Sequence, residues 1–297
     1  RKQINRMLFY HHSLHQNSRW ENETIALENA TELRDDFSLR GRCEMFRVNL
    51  DSMVAAHQLH QGSNLRGHLV WARYPHFQRL LSIKNVPTDP EDEEIMQFFR
   101  ENNDPDLYME RNALSRSEFR KLVSPLMRSG HLIQDYRGGF KTVEPLGKVD
   151  LWETKRNYLR EMVQDFPVIT LRQLERLAGS SFSPEEISDV MHDFEEEGTL
   201  IKGFLVDDLQ DICWGRQDML EGHDALSRTR DLVIPPSDPL IHYFGSLLRE
   251  RFGFGSAYLV FHKEEPIAAF KANTRNHKIE LTDFVGDSEL EKEAIRV

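Results

Sequence analysis

Residues 183–198 read SPEEISDVMHDFEEEG, a helix signed at both ends. Ser183 is placed to accept from the backbone three residues on, and Glu186 to reach back, which is a capping box. Pro184 suits the first turn and Gly198 the left-handed stop. Between them Ile187, Val190, Met191 and Phe194 recur at i, i+3, i+4 and i+7, one buried stripe. Working outward, a helix is expected over 151–164, with Trp152, Tyr158, Leu159 and Met162 near one face. A second is expected over 171–177, with Thr170 as its N-cap. Downstream, Thr199 to Val206 reads as a strand, Asp207-Asp208 as a turn and Asp211 to Trp214 as the returning strand. Three helices followed by a hairpin make a winged helix.

Residues 91–146 repeat that order more weakly. Helices are expected over 93–101 and 115–123, with a short third helix from Pro125 to Ser129 ended by Gly130. His131 to Tyr136, the turn Arg137-Gly138-Gly139 and Phe140 to Val143 then read as a hairpin. Residues 216–239 carry Gly, Ser, Pro-Pro and mixed charge and read as a connector. Beyond it, 240–251 is helical and 257–262, 266–272 and 278–284 form a three-stranded meander, with Ser288 capping a last helix. In the first 85 residues, helices are expected over 2–10, 22–36 and 74–83. A strand entering a helix is expected over 47–57, and another strand over 65–72. The fold class expected is α+β: tandem winged-helix units (helix-turn-helix plus β-hairpin) followed by a small antiparallel β domain. The divisions are a basic, winged-helix-like unit and candidate catalytic region over 1–85, winged helices over 86–148 and 149–215, a connector over 216–239 and a β-meander domain over 240–297.

The net charge of −11 over 297 residues argues against nucleic acid until its distribution is read. Residues 1–85 hold 12 basic against 8 acidic side chains, 86–150 hold 9 against 13, and 151–297 hold 17 against 28. A polyanion is therefore expected at the N-terminal part. The third helix of the unit over 149–215 carries Glu185, Glu186, Asp189, Asp193, Glu195, Glu196 and Glu197, which would repel both walls of a major groove. That unit reads as scaffold or as a protein-contact module. No apolar run approaches the ~20 residues of a membrane helix. No signal-peptide pattern opens the chain, and the two cysteines, Cys43 and Cys213, are too few for a disulfide framework. A cytoplasmic location is expected. The sequence starts at an arginine and stops mid-pattern at Val297, as a fragment of a longer protein would.

His11, His12 and His15, and His57 and His60, have helical chelating spacing, but no HExxH, clustered cysteine or telling carboxylate accompanies them. No metal and no cofactor are expected. P-loop and dinucleotide-binding glycine patterns are absent. Asn49-Leu50-Asp51 remains: strand alternation puts the amide and the carboxylate on one side, where they could hold a water and stabilise positive charge on a sugar. On spacing alone the same residues better suit an N-cap for Ser52 onward.

Taken together, the segments resemble the winged-helix DNA-binding family of AlkZ/YcaQ-type DNA glycosylases, and also the C-terminal region of Lhr-type helicases. Arg1-Lys2-Gln3-Ile4-Asn5-Arg6 to His12-Ser13-Leu14 is similar to the family's first helix, and Leu65-Arg66-Gly67-His68-Leu69-Val70 resembles its Leu-Arg-Gly-Thr-Leu-His strand. Ser237-Asp238-Pro239 and Arg251-Phe252-Gly253-Phe254 resemble landmarks near its end, and 257–283, with Arg275 in a turn, its terminal hairpins. The resemblance implies a catalytic pair at Asp51 and Asn49, where Asn49 stands for the family's Gln, and duplex DNA, intact or damaged, as partner. Arg66, His68, Arg137, Lys141, Arg47 and Arg275 are the expected DNA-binding residues. The reaction implied is hydrolysis of the N-glycosidic bond of alkylated or crosslinked bases. A non-catalytic DNA-binding accessory domain of a helicase, or a transcriptional regulator, is the alternative. A helicase motor in the same polypeptide, or a protein partner on the acidic C-terminal half, are further expected partners.

Overall fold

The computed structural model describes residues 59–164, 168–204, 211–216, 232–236, 238, 241, 243–262, 265–275 and 278–286. The hairpin β1 (Leu59–Ser63) and β2 (Leu69–Arg73) leads into helix α1 (Tyr74–Lys84). Helices α2 (Glu93–Glu101), α3 (Pro105–Arg111) and α4 (Arg116–Ser129) follow, then β3 (Leu132–Gln134) and β4 (Phe140–Thr142). The four strands make one antiparallel sheet in the order β2-β1-β3-β4, so strands from both sides of residue 85 share it. Gly62 permits this joint. A β-carbon there would lie 2.6 Å from Phe77 Cε1 on α1 and 2.7 Å from Ile133 Cγ2 on β3.

Helix α4 departs from the expectation of a break at Pro125: it runs unbroken to Gly130, a left-handed stop with φ +95°. Phe119, Val123 and Leu126 flank the proline and hold one stripe against the core, while Pro125 itself faces solvent. Packing of that stripe outweighs the hydrogen bond a mid-helix proline forfeits. Helix α3 was not anticipated. Asp104 caps it, accepting from the backbone N–H groups of Asp106 and Leu107. A core of its own, rich in rings (Phe98, Phe99, Tyr108, Phe119, Phe140), holds α2, α3 and α4 to the β3–β4 hairpin.

The next stretch comprises α5 (Leu151–Gln164), β5 (Val168–Thr170), α6 (Leu171–Ala178), α7 (Pro184–Glu196), β6 (Leu200–Gly203) and β7 (Cys213–Arg216). The α7 caps form as read, with Ser183 and Glu186 closing a complete capping box. Ile187, Val190, Met191 and Phe194 are all buried, each contributing about 1.5–3 kcal/mol of apolar burial. The short strand β5 was not anticipated. It pairs with β7 in the three-stranded order β5-β7-β6.

Finally β8 (Leu232–Ile234), α8 (Gly245–Phe252), β9 (Tyr258–His262), β10 (Glu265–Arg275) and β11 (Lys278–Val285) form a helix and an antiparallel sheet in the order β11-β10-β9-β8. The expected meander thus has four strands, because β8 comes from within the stretch read as connector. One large core links this sheet to α5, α6, α7 and α1 through residues such as Phe77, Tyr158, Met191, Phe244 and Phe261. The chain is a mixed α+β protein with antiparallel sheets. No helix among the described residues is long and apolar enough to cross a membrane.

Candidate nucleic-acid interface

The turn joining β1 to β2 is built on one buried side chain. Asn64 accepts through Oδ1 from the backbone N–H groups of both Arg66 and His68, at 3.0 Å each. Its own N–H donates to His68 O at 2.9 Å, and Gly67 takes the positive φ (+76°) that closes the turn. Arg66 is thereby presented to solvent.

Arg66 does not stand alone. Its Cγ lies over Gly179, at the end of α6. Helix α6 is fixed by a capping box between Thr170 and Gln173 and by buried Leu174 and Ala178, which turn Arg172 and Arg176 to one outer face, four residues apart. Arg249 on α8 is near enough for its charge to act on Arg176. Burial first, then the charges of Arg172, Arg249 and Arg66, push the Arg176 guanidinium below its ordinary pKa. Glu175 and Glu250 adjoin these arginines in sequence, yet among the described residues no carboxylate forms an ion pair with any of the four. Four uncompensated guanidiniums from three chain segments form a surface suited to anions, and the planar fork of arginine matches the two oxygens of a phosphate.

The acidic helix α7 shows the opposite arrangement. Glu186 pairs with Lys155 at 2.6 Å, Glu197 with Arg156 and Arg160, Asp193 with Arg156 at 3.4 Å, and Glu195 with Lys202 at 3.6 Å. Burial opposes the charge of Arg156, but the hydrogen bond and charge of Glu197, with Glu153 and Asp193, raise its pKa overall. Glu185, Asp189 and Glu196 remain exposed. That face stays anionic. A pocket lined by Glu93, Glu94, Glu101, Tyr108 and Arg111 is acidic too, and burial followed by the charge of Glu94 raises the Tyr108 pKa there.

Of the residues expected to meet DNA, Arg66 and His68 share the Asn64 turn. Arg137 and Lys141 lie elsewhere. β3 runs antiparallel to β1, with Gln61 opposite Gln134, so the Asp135–Gly139 turn sits at the other end of the sheet from Arg66. The strand rise puts the two turns on the order of 20 Å apart. Arg137 is exposed and its Nε donates to Tyr136 Oη at 2.8 Å, while Lys141 Nζ lies 4.1 Å from the centre of the Tyr74 ring. Arg275 ends β10, paired with Lys278, and its side chain lies outside the described residues. Arg47, Asn49 and Asp51 lie outside them as well.

Sequence reading missed Arg172, Arg176 and Arg249. One signal was present: two arginines at i, i+4 repel by a few tenths of a kcal/mol on an isolated helix. Among the described residues no group of three or more His, Cys, Asp or Glu could hold a metal ion.

Comparison with known proteins adds one finding at the level of fold. No family model matches the chain, and no curated protein sequence matches it. Among solved structures, it is similar to the Streptomyces sahachiroi DNA glycosylase AlkZ, with a TM-score of 0.67 over 99% of this chain and 93% of that one. Sequence identity is 13%. The two share an architecture.

Proposed function

We propose that this chain is a tandem winged-helix DNA-binding protein that hydrolyses the N-glycosidic bond of alkylated or crosslinked bases. The observation that carries the reading is the likeness to a DNA glycosylase over nearly the full length of both chains. The order α5-β5-α6-α7-β6-β7, with β5 paired to β7, supports the winged-helix description of that stretch.

In this reading Asp51 offsets the positive charge that develops on the deoxyribose as the bond to the base breaks. The base leaves with the bonding electrons, a water held by Asn49 and Asp51 attacks C1′, and Asp51 takes its proton. An alkylated base is a good leaving group, so no metal is needed. Arg66, His68, Arg137, Lys141, Arg47 and Arg275 hold the DNA backbone, and the exposed acidic face of α7 is left for a protein partner.

The test is base release from duplex DNA containing 7-methylguanine, scored as free base and alkali-sensitive abasic sites. Wild type cleaves and Asp51→Ala loses the activity. Cleavage retained in the variant removes Asp51 from the mechanism. A second reading, a non-catalytic DNA-binding accessory module, is favoured by Asn49, whose amide is one methylene shorter than the glutamine of the resembling family. Tight, salt-sensitive binding by a wild type that never cleaves would establish it.

A further inference from the structure

We infer that Arg66, Arg172, Arg176 and Arg249 together form a docking site for the phosphodiester backbone of duplex DNA. This rests on the DNA-binding reading above and names the residues of α6 and α8 as the grip.

The four guanidiniums have no ion-pair partner among the described residues. Several other arginines on the described surface sit against carboxylates: Arg79 on Glu161, Arg100 on Glu93 and Glu144, Arg156 on Asp193 and Glu197. Others, such as Arg116 and Arg120, are exposed without an ion pair but are not gathered with arginines from other chain segments. An acidic protein with 49 carboxylates has ample means to neutralise a cationic patch. At this place it brings four guanidiniums together with no ion pair to a carboxylate among the described residues. Arg176 is half-buried there, which adds a desolvation cost to the repulsion. A folded protein keeps such a cluster at a cost to its own stability, and a ligand carrying several negative charges at fixed spacing removes that cost on binding. Duplex DNA presents phosphates at regular intervals along each strand, and its affinity grows with the number of counterions released.

The geometry favours a backbone contact over base reading. The cluster is drawn from a hairpin turn, the outer face of a helix and a second helix, which is a broad surface and not a single protruding element. Arginines so arranged meet successive phosphates and carry no sequence information. The proposal therefore predicts affinity without sequence preference from this surface.

The experiment measures the affinity of the full chain for a short fluorescent DNA duplex over a range of salt concentrations. It compares wild type, Arg172→Gln/Arg176→Gln and Arg120→Gln/Arg116→Gln, the last pair being exposed arginines of α4 that impose the same change in net charge. The cluster variant is expected to flatten the slope of log affinity against log salt by about 1.8, since each phosphate contact on duplex DNA contributes about 0.9. The α4 variant keeps the wild-type slope. Thermal melting of the free proteins gives a second readout: the cluster variant melts at or above wild type, because a repulsion has been removed, whereas arginines with only a structural role would lower the midpoint. Equal slopes in all three proteins overturn this proposal and leave the DNA-binding reading standing. No duplex binding by wild type at low salt overturns both. Tighter binding of a duplex RNA of the same length, lost in the cluster variant, overturns the assignment to DNA.

Discussion

Arg66 packs across Gly179: a β-carbon on Gly179 would come within 3.2 Å of Arg66 Cγ. Gly179 has φ +65° and ψ −160°, a region essentially reserved for glycine. The contact couples the β1–β2 turn to the end of α6 and so holds two segments of the arginine cluster in register. Gly179→Ala is predicted to cost about 1–3 kcal/mol of stability and to displace Arg66. Calorimetric melting checks the first part, and an unchanged midpoint would contradict it.

Gly62 makes a second close approach, inside the core and away from the arginines. Gly62→Ala forces a methyl against the Phe77 ring and Ile133, and overpacking of this kind costs about 1–3 kcal/mol. Urea unfolding should show a lowered midpoint with an unchanged slope.

These glycines mark the limit of what the sequence revealed. The caps and stripe of α7 were legible because Ser183, Glu186 and Gly198 act within a turn or two of one another. β1 was not recognised, because Leu59–Ser63 reads LHQGS, without the β-branched alternation of a strand, and forms through pairing with β2 and β3. Pro125 was read as a break, yet its ring projects to solvent while residues on either side bury. The arginine cluster was out of reach for a different reason. Arg172 and Arg176 neighbour each other on α6, but Arg66 and Arg249 join them only through the tertiary fold, and in the sequence those two look like ordinary solvated charges.

Arg66 and Arg137 sit at opposite ends of one sheet. Their contributions to DNA binding are therefore predicted to be independent, since sites more than 7–10 Å apart usually add to within about 0.5 kcal/mol. Equilibrium binding by Arg66→Gln, Arg137→Gln and the double variant provides the cycle. A coupling energy above 1 kcal/mol would show that both arginines act on one bound group.

Stability should also depend on pH through His131. Burial lowers its pKa most, outweighing backbone hydrogen bonding at Val86, and its Nδ1 lies 2.7 Å from Ser129 Oγ. The unfolded chain binds the proton more readily, so the stabilising contribution is complete above the unfolded value of about 6.5 and declines as pH falls toward the lower folded value. His131→Gln is predicted to flatten the fall in melting temperature between about pH 7 and 5.5. A variant with the wild-type slope would exclude His131 as the source. Glu161 acts in a lower window. Burial raises its pKa, but His76 and Arg79 more than offset this and lower it overall, so its contribution is present above the ordinary carboxylate range and lost as pH falls through the depressed folded value.

DNA is predicted to meet the arginine-bearing surface of β1–β2, α6 and α8, and not the acidic helix α7. Backbone hydrogen exchange of the full chain, with and without saturating duplex, tests it most directly. Exchange is expected to slow over 64–68, 171–179 and 245–252, with 184–197 unchanged. Protection confined to 184–197, with the three arginine segments exchanging as in the free protein, would contradict it.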